Sequence, residues 1–319
     1  MTPTRHVAMH RMTDRRAVLK GALGSLAGLS LPPFAVPSFA ADAPGITRVT
    51  EELVMLTGAG GNILARATSG NQVLVDSGAA EFTDAVLATL GELPGAGRVG
   101  TLFNTHWHLD QVGSNGAFGR AGATIVAHEK TRLHLATDYY LPTEDRYQQA
   151  LPAEAQPTET FYTDGEMLSG NERIEYGYLL EAHTDGDIYV FFRDSNVLAV
   201  GDVVSPERDP VLDWFGGGWL GGRVDALSLL LEISDDRTRF VPSYGPVVGR
   251  AEVQAEHDMM LTLFERMVEL VRKGDGADDI LAAGVMENIG RSFDDPLEFV
   301  YDAHKGLWAH HNTLSPDVV

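Results

Sequence analysis

The stretch that decides the fold is Thr105-His106-Trp107-His108-Leu109-Asp110-Gln111. It places two imidazoles and a carboxylate within five positions, directly after the apolar run Val99-Gly100-Thr101-Leu102-Phe103. A strand that ends in such a cluster presents several metal ligands from one short turn, as a hydrolytic zinc site requires. A His-x-His pair alone would suit a protein surface equally well, but the added carboxylate and the preceding strand favour a metal site.

The composition restricts the ligands and the partners. The chain has 319 residues, no cysteine and a formal net charge of -21. Disulfides and thiolate metal sites are therefore excluded, and any metal must be held by nitrogen and oxygen ligands. Residues 1–40 carry five of the 24 Lys and Arg residues and one of the 45 acidic residues, which leaves the remainder at -25. Such a surface repels phosphate backbones, so nucleic acid is not an expected partner.

The first 40 residues have the order of an export signal. The twin-arginine pair Arg15-Arg16 precedes an apolar stretch of 16 residues, Gly21–Val36, and small residues follow up to Ala40. A membrane-spanning helix would need about 20 apolar residues. We therefore expect a twin-arginine signal at residues 1–40, cleaved near Ala40, with the twin-arginine export machinery as a partner. The mature protein is expected in the periplasm or outside the cell, without a stable membrane anchor.

Residues 41–319 are expected to form one domain of the α+β class. Two successive halves, each with β-rich runs followed by helices, predict an αββα sandwich of two mixed β-sheets flanked by helices. Helices are predicted at Phe82–Leu90, Glu129–Ala136, Val224–Ile233, Ala251–Lys273 and Leu297–His311. Strands are predicted at Ile46–Leu56, Asn62–Ala67, Gln72–Val75, Val99–Phe103, Ala123–Val126, Arg173–Ala182, Asp187–Arg193, Asn196–Val200 and Arg239–Pro242. Residues Asp138–Thr160, rich in Pro, Glu and Gln, are predicted to be a long loop or lid.

Four further predicted strands end in polar residues that can bind a metal or make hydrogen bonds. Asp76 closes one strand, His183 follows a second, Asp202 ends a third, and Tyr244 comes shortly after a fourth. Packing alone does not explain several such clusters, each placed after an apolar strand.

With these residues the sequence resembles the metallo-β-lactamase fold superfamily over nearly all of residues 41–319. Its members carry a strand ending in Asp, then His-x-His-x-Asp-His, a His before Thr-x-Gly, a Gly-Asp and a Gly-His-Gly. The matching positions here are Asp76, His106, His108, Asp110, Gln111, His183, Asp202 and Tyr244.

The resemblance implies a role for each matched residue. It places His106, His108 and His183 in a first metal site, with Asp202 as a bridging ligand. It makes Asp110, together with the residues at positions 111 and 244, the second metal site. Asp76 would orient the ligand loop by hydrogen bonds.

Two of the matched positions depart from the family pattern. Gln111 offers a neutral amide oxygen in place of an imidazole, and Tyr244 offers a phenol whose usual pKa is about 10. Both are weak ligands for zinc. We expect one strong zinc site and a second site that is weak, empty or selective for a harder ion such as Fe or Mn.

The expected function is that of a metal-dependent hydrolase of a small-molecule carbonyl substrate, a lactam, lactone, ester or thioester. Attack would come from a metal-bound hydroxide, since three imidazoles leave an open zinc position. Asp110 is the candidate general base, and Tyr244 the candidate hydrogen-bond donor to the developing oxyanion.

Substrate contacts are expected from Trp107, Trp214 and Trp219, with the segments Tyr139–Thr160 and Ser205–Gly222 controlling access. For the tryptophans and the second segment, ordinary packing or an ordinary surface loop is an equally good interpretation. The remaining histidines are interpreted as surface or packing residues: His128, His134, His257, His304, His310 and His311.

Two alternatives stay open. Some members of the superfamily that the sequence resembles are mononuclear iron oxygenases of persulfides with two histidine ligands and one aspartate, and the matching residues here are His106, His183 and Asp202. A non-catalytic binding protein could have kept the fold after losing the second site. The sequence makes no prediction of oligomeric state.

Overall fold

The computed structural model describes residues 43–67, 71–141 and 145–310. The predicted export signal at residues 1–40 and His311 lie outside these residues, so the prediction of a signal stays a prediction.

Fourteen strands and eight α-helices make up the described part of the chain. The strands are β1 (Gly45–Arg48), β2 (Leu53–Ala59), β3 (Gly61–Arg66), β4 (Gln72–Val75), β5 (Val99–Phe103), β6 (Thr124–His128), β7 (Tyr139–Leu141), β8 (Arg146–Gln148), β9 (Glu159–Phe161), β10 (Asp164–Ser169), β11 (Glu172–Tyr178), β12 (Ile188–Phe192), β13 (Val197–Gly201) and β14 (Arg239–Pro242). The helices are α1 (Thr83–Glu92), α2 (Leu109–Val112), α3 (Asn115–Arg120), α4 (Glu129–Leu135), α5 (Leu220–Ile233), α6 (Arg250–Lys273), α7 (Ala277–Ala282) and α8 (Pro296–Ala309).

The strands form two large mixed sheets and a small hairpin. The seven-stranded sheet has the order β1-β2-β3-β4-β5-β6-β9, antiparallel from β1 to β4 and parallel from β4 to β9. The five-stranded sheet has the order β10-β11-β12-β13-β14, in which only β13 and β14 are parallel. Parallel neighbours end at the same edge of a sheet. The residues after β4 and β5 therefore lie together, and so do those after β13 and β14.

Three apolar layers hold the sandwich together. The middle layer joins the facing sides of the two sheets, with Phe103 and Val126 from one sheet and Phe192 and Val241 from the other. A second layer packs α1 and α3 against the outer face of the seven-stranded sheet. The third packs α5, α6 and α8 against the five-stranded sheet. The predicted αββα sandwich is confirmed.

Contacts between β3 and the end of β14 fix the two sheets together beside the polar strand ends. The Asn62 backbone N–H donates to the Ser243 carbonyl (2.7 Å). The Asn62 side-chain amide donates to the carbonyls of Pro242 and Gly245, both at 2.9 Å. The loop that carries Tyr244 is thereby held against the first sheet.

Two sequence predictions of secondary structure are wrong. The single strand predicted at Ile46–Leu56 is two strands, because the Thr50 hydroxyl accepts hydrogen bonds from the Glu52 and Leu53 backbone N–H groups and turns the chain. The long loop predicted at Asp138–Thr160 contains the β7–β8 hairpin, and β9 begins at its end. The Pro and Glu residues of this stretch favour a loop prediction, although Tyr140 and Tyr147 pair across the hairpin.

Other strands and helices agree with the sequence to within a few residues. Gln72–Val75 and Arg239–Pro242 have the predicted bounds, and α6 differs from its prediction by one residue at its start. Its apolar stripe, including Met260, Leu263 and Met267, lies buried in the core as expected. The short helices α2, α3 and α7 and the strand β10 were not predicted.

No helix in the described ranges is long and apolar enough to cross a membrane.

Candidate metal centre

Three imidazole rings meet at the edge where the two sheets come together. His106 and His108 follow β5, and His183 lies in the loop between β11 and β12. Each pair of rings has its centroids 4.8 Å apart, with interplanar angles of 82–89°. The three ring centroids therefore form an equilateral triangle, and the ring planes are nearly perpendicular to one another.

The hydrogen bonds of His183 and His108 assign their tautomers. The Nδ1 atom of His183 lies 2.9 Å from the Val211 carbonyl oxygen, which can only accept, so Nδ1 carries the proton. The Nε2 atom of His108 lies 3.1 Å from a carboxylate oxygen of Asp213 and is the donor there. Consequently His183 Nε2 and His108 Nδ1, only 3.1 Å apart, both direct lone pairs toward each other. Two lone pairs at this distance repel unless a cation or a proton lies between them.

His106 is oriented through Thr105 and Asp76. The Thr105 hydroxyl donates to Asp76 Oδ2 (2.7 Å) and so accepts from His106 Nδ1 (3.0 Å). The Thr105 backbone N–H donates to Asp76 Oδ1 (2.8 Å). The remaining ring nitrogen, His106 Nε2, is buried and has no hydrogen-bond partner among the described residues. Asp76 thus accepts two hydrogen bonds from Thr105, the residue that precedes His106.

Backbone geometry brings these residues close. Asp76 has a φ of 61°, a left-handed conformation that Asp tolerates better than most residues. Gly201, at the end of β13, has a φ of 58°, and a Cβ there would lie 3.0 Å from the Thr105 Cβ. Glycine at this position therefore lets Asp202 approach the histidines.

The electrostatics favour neutral ligands at two of the three histidines. Burial lowers the pKa of both His106 and His183 to about 3. For His108, burial acts in the same direction, but the hydrogen bond and charge of Asp213 outweigh it and raise the pKa above its usual value. Without a metal ion, a proton on His108 Nδ1 can therefore form a hydrogen bond to His183 Nε2.

Asp202 completes a group that fits a metal ion. Its Oδ2 lies 3.8 Å from His106 Nε2 and 3.6 Å from His183 Nε2. The ligand atoms of His106, His108, His183 and Asp202 all lie within 4.8 Å of one another. An unpartnered buried nitrogen and two facing lone pairs are what a nitrogen- and oxygen-liganded zinc or iron site requires.

The positions assigned to a second metal are linked by hydrogen bonds. The phenol of Tyr244 donates to Asp110 Oδ2, and the Gln111 amide donates to the same oxygen (3.2 Å). Burial, together with the bond to Asp110, raises the pKa of Tyr244 far above its usual value. Burial would raise the pKa of Asp110, but the Tyr244 bond and the nearby histidines bring it below its usual value. Asp110 is therefore a carboxylate supplied with two donors, and Tyr244 a neutral phenol.

A cavity of about 480 Å³ opens on the exposed side of His108. Trp107, Asp110 and Trp214 are part of its wall, so two of the three predicted tryptophans lie where a substrate could contact them. The wall also contains residues from β7, β8 and α8: Leu141, Arg146, Gln148, Glu298 and Asp302. The part of the predicted lid that forms the hairpin thus borders the site.

Trp219 lies elsewhere. It stacks on His310 with ring centroids 4.3 Å apart and packs against the core formed by α5, α6 and α8. It does not line the cavity, so its position gives no support to the predicted substrate contact. Trp107 is itself buried and stacks on His134 (4.6 Å), and it therefore combines packing with its place at the cavity.

The structure adds residues that sequence reasoning missed. Asp213 orients His108, and Asp187 accepts hydrogen bonds from the His183 and Thr184 backbone N–H groups at 2.6 and 2.8 Å. Arg208 lies beside Asp202. Asp187 follows His183 by four residues and could have been suspected from that spacing. Asp213 and Arg208 lie in a loop with no motif.

Comparisons with known proteins agree with this arrangement. The model of the metallo-beta-lactamase superfamily matches residues 58–243, more than half of the chain. No curated protein matches the sequence significantly.

Solved structures show the same fold at low sequence identity. A metallo-beta-lactamase from Pontibacter korlensis is 21% identical, with a TM-score of 0.56 over 68% of this chain and 99% of that one. The DIM-1 metallo-beta-lactamase is 17% identical, with a TM-score of 0.56 over 69% and 98%. The inverting sec-alkylsulfatase Pisa1 from Pseudomonas sp. is 14% identical, with a TM-score of 0.63 over 84% of this chain but half of its own. The family match and the shared fold together identify the chain as a member of the metallo-beta-lactamase superfamily.

Proposed function

We propose that the protein is a metal-dependent hydrolase that works with one metal ion on a small-molecule carbonyl substrate. Lactams, lactones, esters and thioesters are the candidate substrates. Zinc is the proposed metal, because three imidazole ligands that leave a coordination position for water are typical of catalytic zinc.

One observation carries the proposal. In each of the three histidines, His106, His108 and His183, one ring nitrogen makes a hydrogen bond to a residue outside the cluster. Their other ring nitrogens converge beside a cavity of about 480 Å³. Groups that fix the tautomer of a ligating histidine are typical of metal sites and raise the basicity of the ligand. Buried histidines that only pack would have partners for both ring nitrogens, whereas His106 Nε2 is buried and has none among the described residues.

Asp110 and Tyr244 have separate proposed roles beside the metal ion. When bound, a zinc ion supplies the Lewis acidity that polarises a carbonyl and acidifies water. Asp110, a carboxylate at the cavity wall, is the proposed acceptor of the proton that water loses. Tyr244 holds that carboxylate by its phenol hydrogen bond. A role for Tyr244 in donating to the substrate would require this bond to break first.

The histidine geometry favours hydrolysis over oxygenation. An iron oxygenase of the two-histidine, one-carboxylate type would use His106, His183 and Asp202 and leave the other face open. Here His108 Nδ1 lies 3.1 Å from His183 Nε2 and occupies that face. The proposal therefore counts His108 as a third imidazole ligand.

Export belongs to the proposal as well. A twin-arginine signal would let the protein leave the cytoplasm folded, with its metal already bound. The formal charge of -25 after residue 40 supports a small-molecule substrate over a nucleic acid.

The test is hydrolysis by protein purified with its native metal and after zinc reconstitution. The panel contains a chromogenic lactam, an aryl ester, a lactone and a thioester, with an alkyl sulfate ester added because the sec-alkylsulfatase shares the fold. We expect turnover of at least one carbonyl substrate, lost on chelation and in His183→Ala. The control is His257→Ala, since His257 lies on α6 and hydrogen-bonds Ser228, outside the cluster.

Three results would contradict the proposal. Protein that binds no metal would favour a non-catalytic binding protein. Iron as the bound metal, with oxygen uptake, would favour the oxygenase. Turnover of the sulfate ester alone would exclude a carbonyl substrate.

A further inference from the structure

We infer that Arg208 is a built-in cation that neutralises Asp202 and limits the centre to a single metal ion. The inference rests on the proposed metal-dependent function, which it deepens by setting the number of metal ions. It concerns a residue that no motif of the sequence includes.

The guanidinium of Arg208 lies between Asp202 and the ring of Tyr244 and contacts both. Its Nη2 lies 3.4 Å from each carboxylate oxygen of Asp202. Its Cζ lies 3.2 Å from the centroid of the Tyr244 ring. A guanidinium keeps its charge at every pH that a protein tolerates, so Asp202 always has a positive partner.

The loop that carries Arg208 is held in place by Arg291, which lies between α7 and α8. Arg291 donates from Nη1 to the Ser205 carbonyl (2.5 Å) and from Nη2 to the Arg208 carbonyl. Pro206 and Glu207 pack against Gly245, where a Cβ would lie 3.1–3.2 Å from them. These contacts hold residues 205–208, and with them the backbone of Arg208, in place beside Asp202.

Three of the four carboxylate oxygens of Asp202 and Asp110 already have a donor from the chain. Asp202 has Arg208, while Asp110 Oδ2 has the Tyr244 phenol and the Gln111 amide. A second divalent cation could bind Asp202 only if it displaced Arg208, and could bind Asp110 Oδ2 only if it displaced Tyr244 and Gln111. It would also lie within a few ångströms of a like charge, which costs free energy even in a polar environment.

The experiment is a zinc titration of the metal-free protein by calorimetry, with metal content measured after dialysis. Wild type is compared with Arg208→Gln, which removes the charge, and Arg208→Lys, which keeps it. The same three residues at position 208 are then compared in a Gln111→His, Tyr244→His background, in which two added imidazoles make a second binding event easier to detect. Arg120→Gln is the matched control, because Arg120 is an exposed arginine paired with Glu154 at the same 3.4 Å.

We expect one zinc per chain for wild type, Arg208→Lys and Arg120→Gln. In the double-histidine background, Arg208→Gln should strengthen second-zinc binding by about tenfold or more, and Arg208→Lys should change it little. If Arg208→Gln fails to fold, Arg208→Met, which keeps an unbranched stem against Tyr244, replaces it. Unchanged second-zinc affinity in the charge-removing variant, or two tightly bound zinc ions in wild type, would overturn the inference.

Failure of the inference and failure of the proposed function give different results. Two zinc ions in an active wild type would refute the role of Arg208 and the single-metal part of the proposed function, but not the hydrolase activity. A wild type that binds no metal at all would refute the metal-dependent function and the inference together. An inactive protein that follows the expected zinc stoichiometries would support the role of Arg208 and leave only the hydrolase proposal refuted.

Discussion

Asp213→Asn is the most informative single substitution, because it tests the hydrogen bond that orients His108. In the native structure Oδ1 accepts from the Gly216 backbone N–H (2.8 Å) and Oδ2 accepts from His108 Nε2 (3.1 Å). An asparagine that keeps the first bond must direct its NH₂ group at His108. His108 would then accept at Nε2 and carry its proton on Nδ1, the nitrogen that faces His183. The ring could no longer offer that nitrogen to a metal.

The size of the effect follows from the hydrogen bond that is lost. Removing a partner that orients a metal-bound histidine typically weakens metal affinity by about 10- to 100-fold, which corresponds to about 1.4–2.8 kcal/mol. A bond to a charged group contributes about 1.5–3 kcal/mol, in the same range. The pKa of His108 should also fall, because Asp213 is what raises it.

The assay is competition for zinc between the protein and a chromophoric chelator at neutral pH. Asp185→Asn is the matched control, because Asp185 pairs with His134 at 3.0 Å in a similar arrangement outside the ligand cluster. We expect affinity to fall only in Asp213→Asn. Wild-type zinc affinity in that variant would refute the tautomer assignment on which the metal centre depends.

Three other predictions test separate parts of the structure. Tyr244→Phe removes the donor that helps to lower the pKa of Asp110, so the acidic limb of the pH–rate profile should shift to higher pH; an unmoved limb would contradict the role of that bond. Zinc affinity of wild type should fall by about tenfold per unit as pH drops below the raised pKa of His108, because the proton and the metal compete for one nitrogen; a pH-independent affinity would argue against His108 as a ligand. Arg223→Ala leaves the buried carboxylate of Glu256 without its 2.9 Å partner and should cost about 3–5 kcal/mol in urea unfolding, whereas a loss under about 1 kcal/mol would show that the pair is dispensable.

The sequence predicts the fold because the polar residues follow apolar strands. Asp76 and His106 come after neighbouring parallel strands, and Asp202 and Tyr244 come after another such pair. Parallel pairing brings each pair of ends to one edge of its sheet, which is where the structure has them. The predicted metal ligands His108 and His183 lie beside these ends.

Residues far from any motif could not be predicted. Asp213 and Arg208 reach the site from a loop that hydrogen-bonds Arg291 and Asp295, more than 80 positions further along the chain. The sequence identifies Tyr244 and Gln111 as altered ligand positions, but it does not show that both donate to Asp110 Oδ2, because Tyr244 reaches Asp110 only through the contact between the two sheets. Trp219 shares its sequence segment with Trp214, yet its ring stacks on His310 and packs against the helical core.

The central claim is that His106, His108 and His183 together hold one metal ion. Anomalous diffraction at the zinc edge, from crystals of protein grown with excess zinc, tests this most directly. One strong peak among the three imidazole rings, with none between Asp110 and Asp202, is the predicted result. A second peak of similar height beside Asp110, or an empty triangle of histidines, would contradict it.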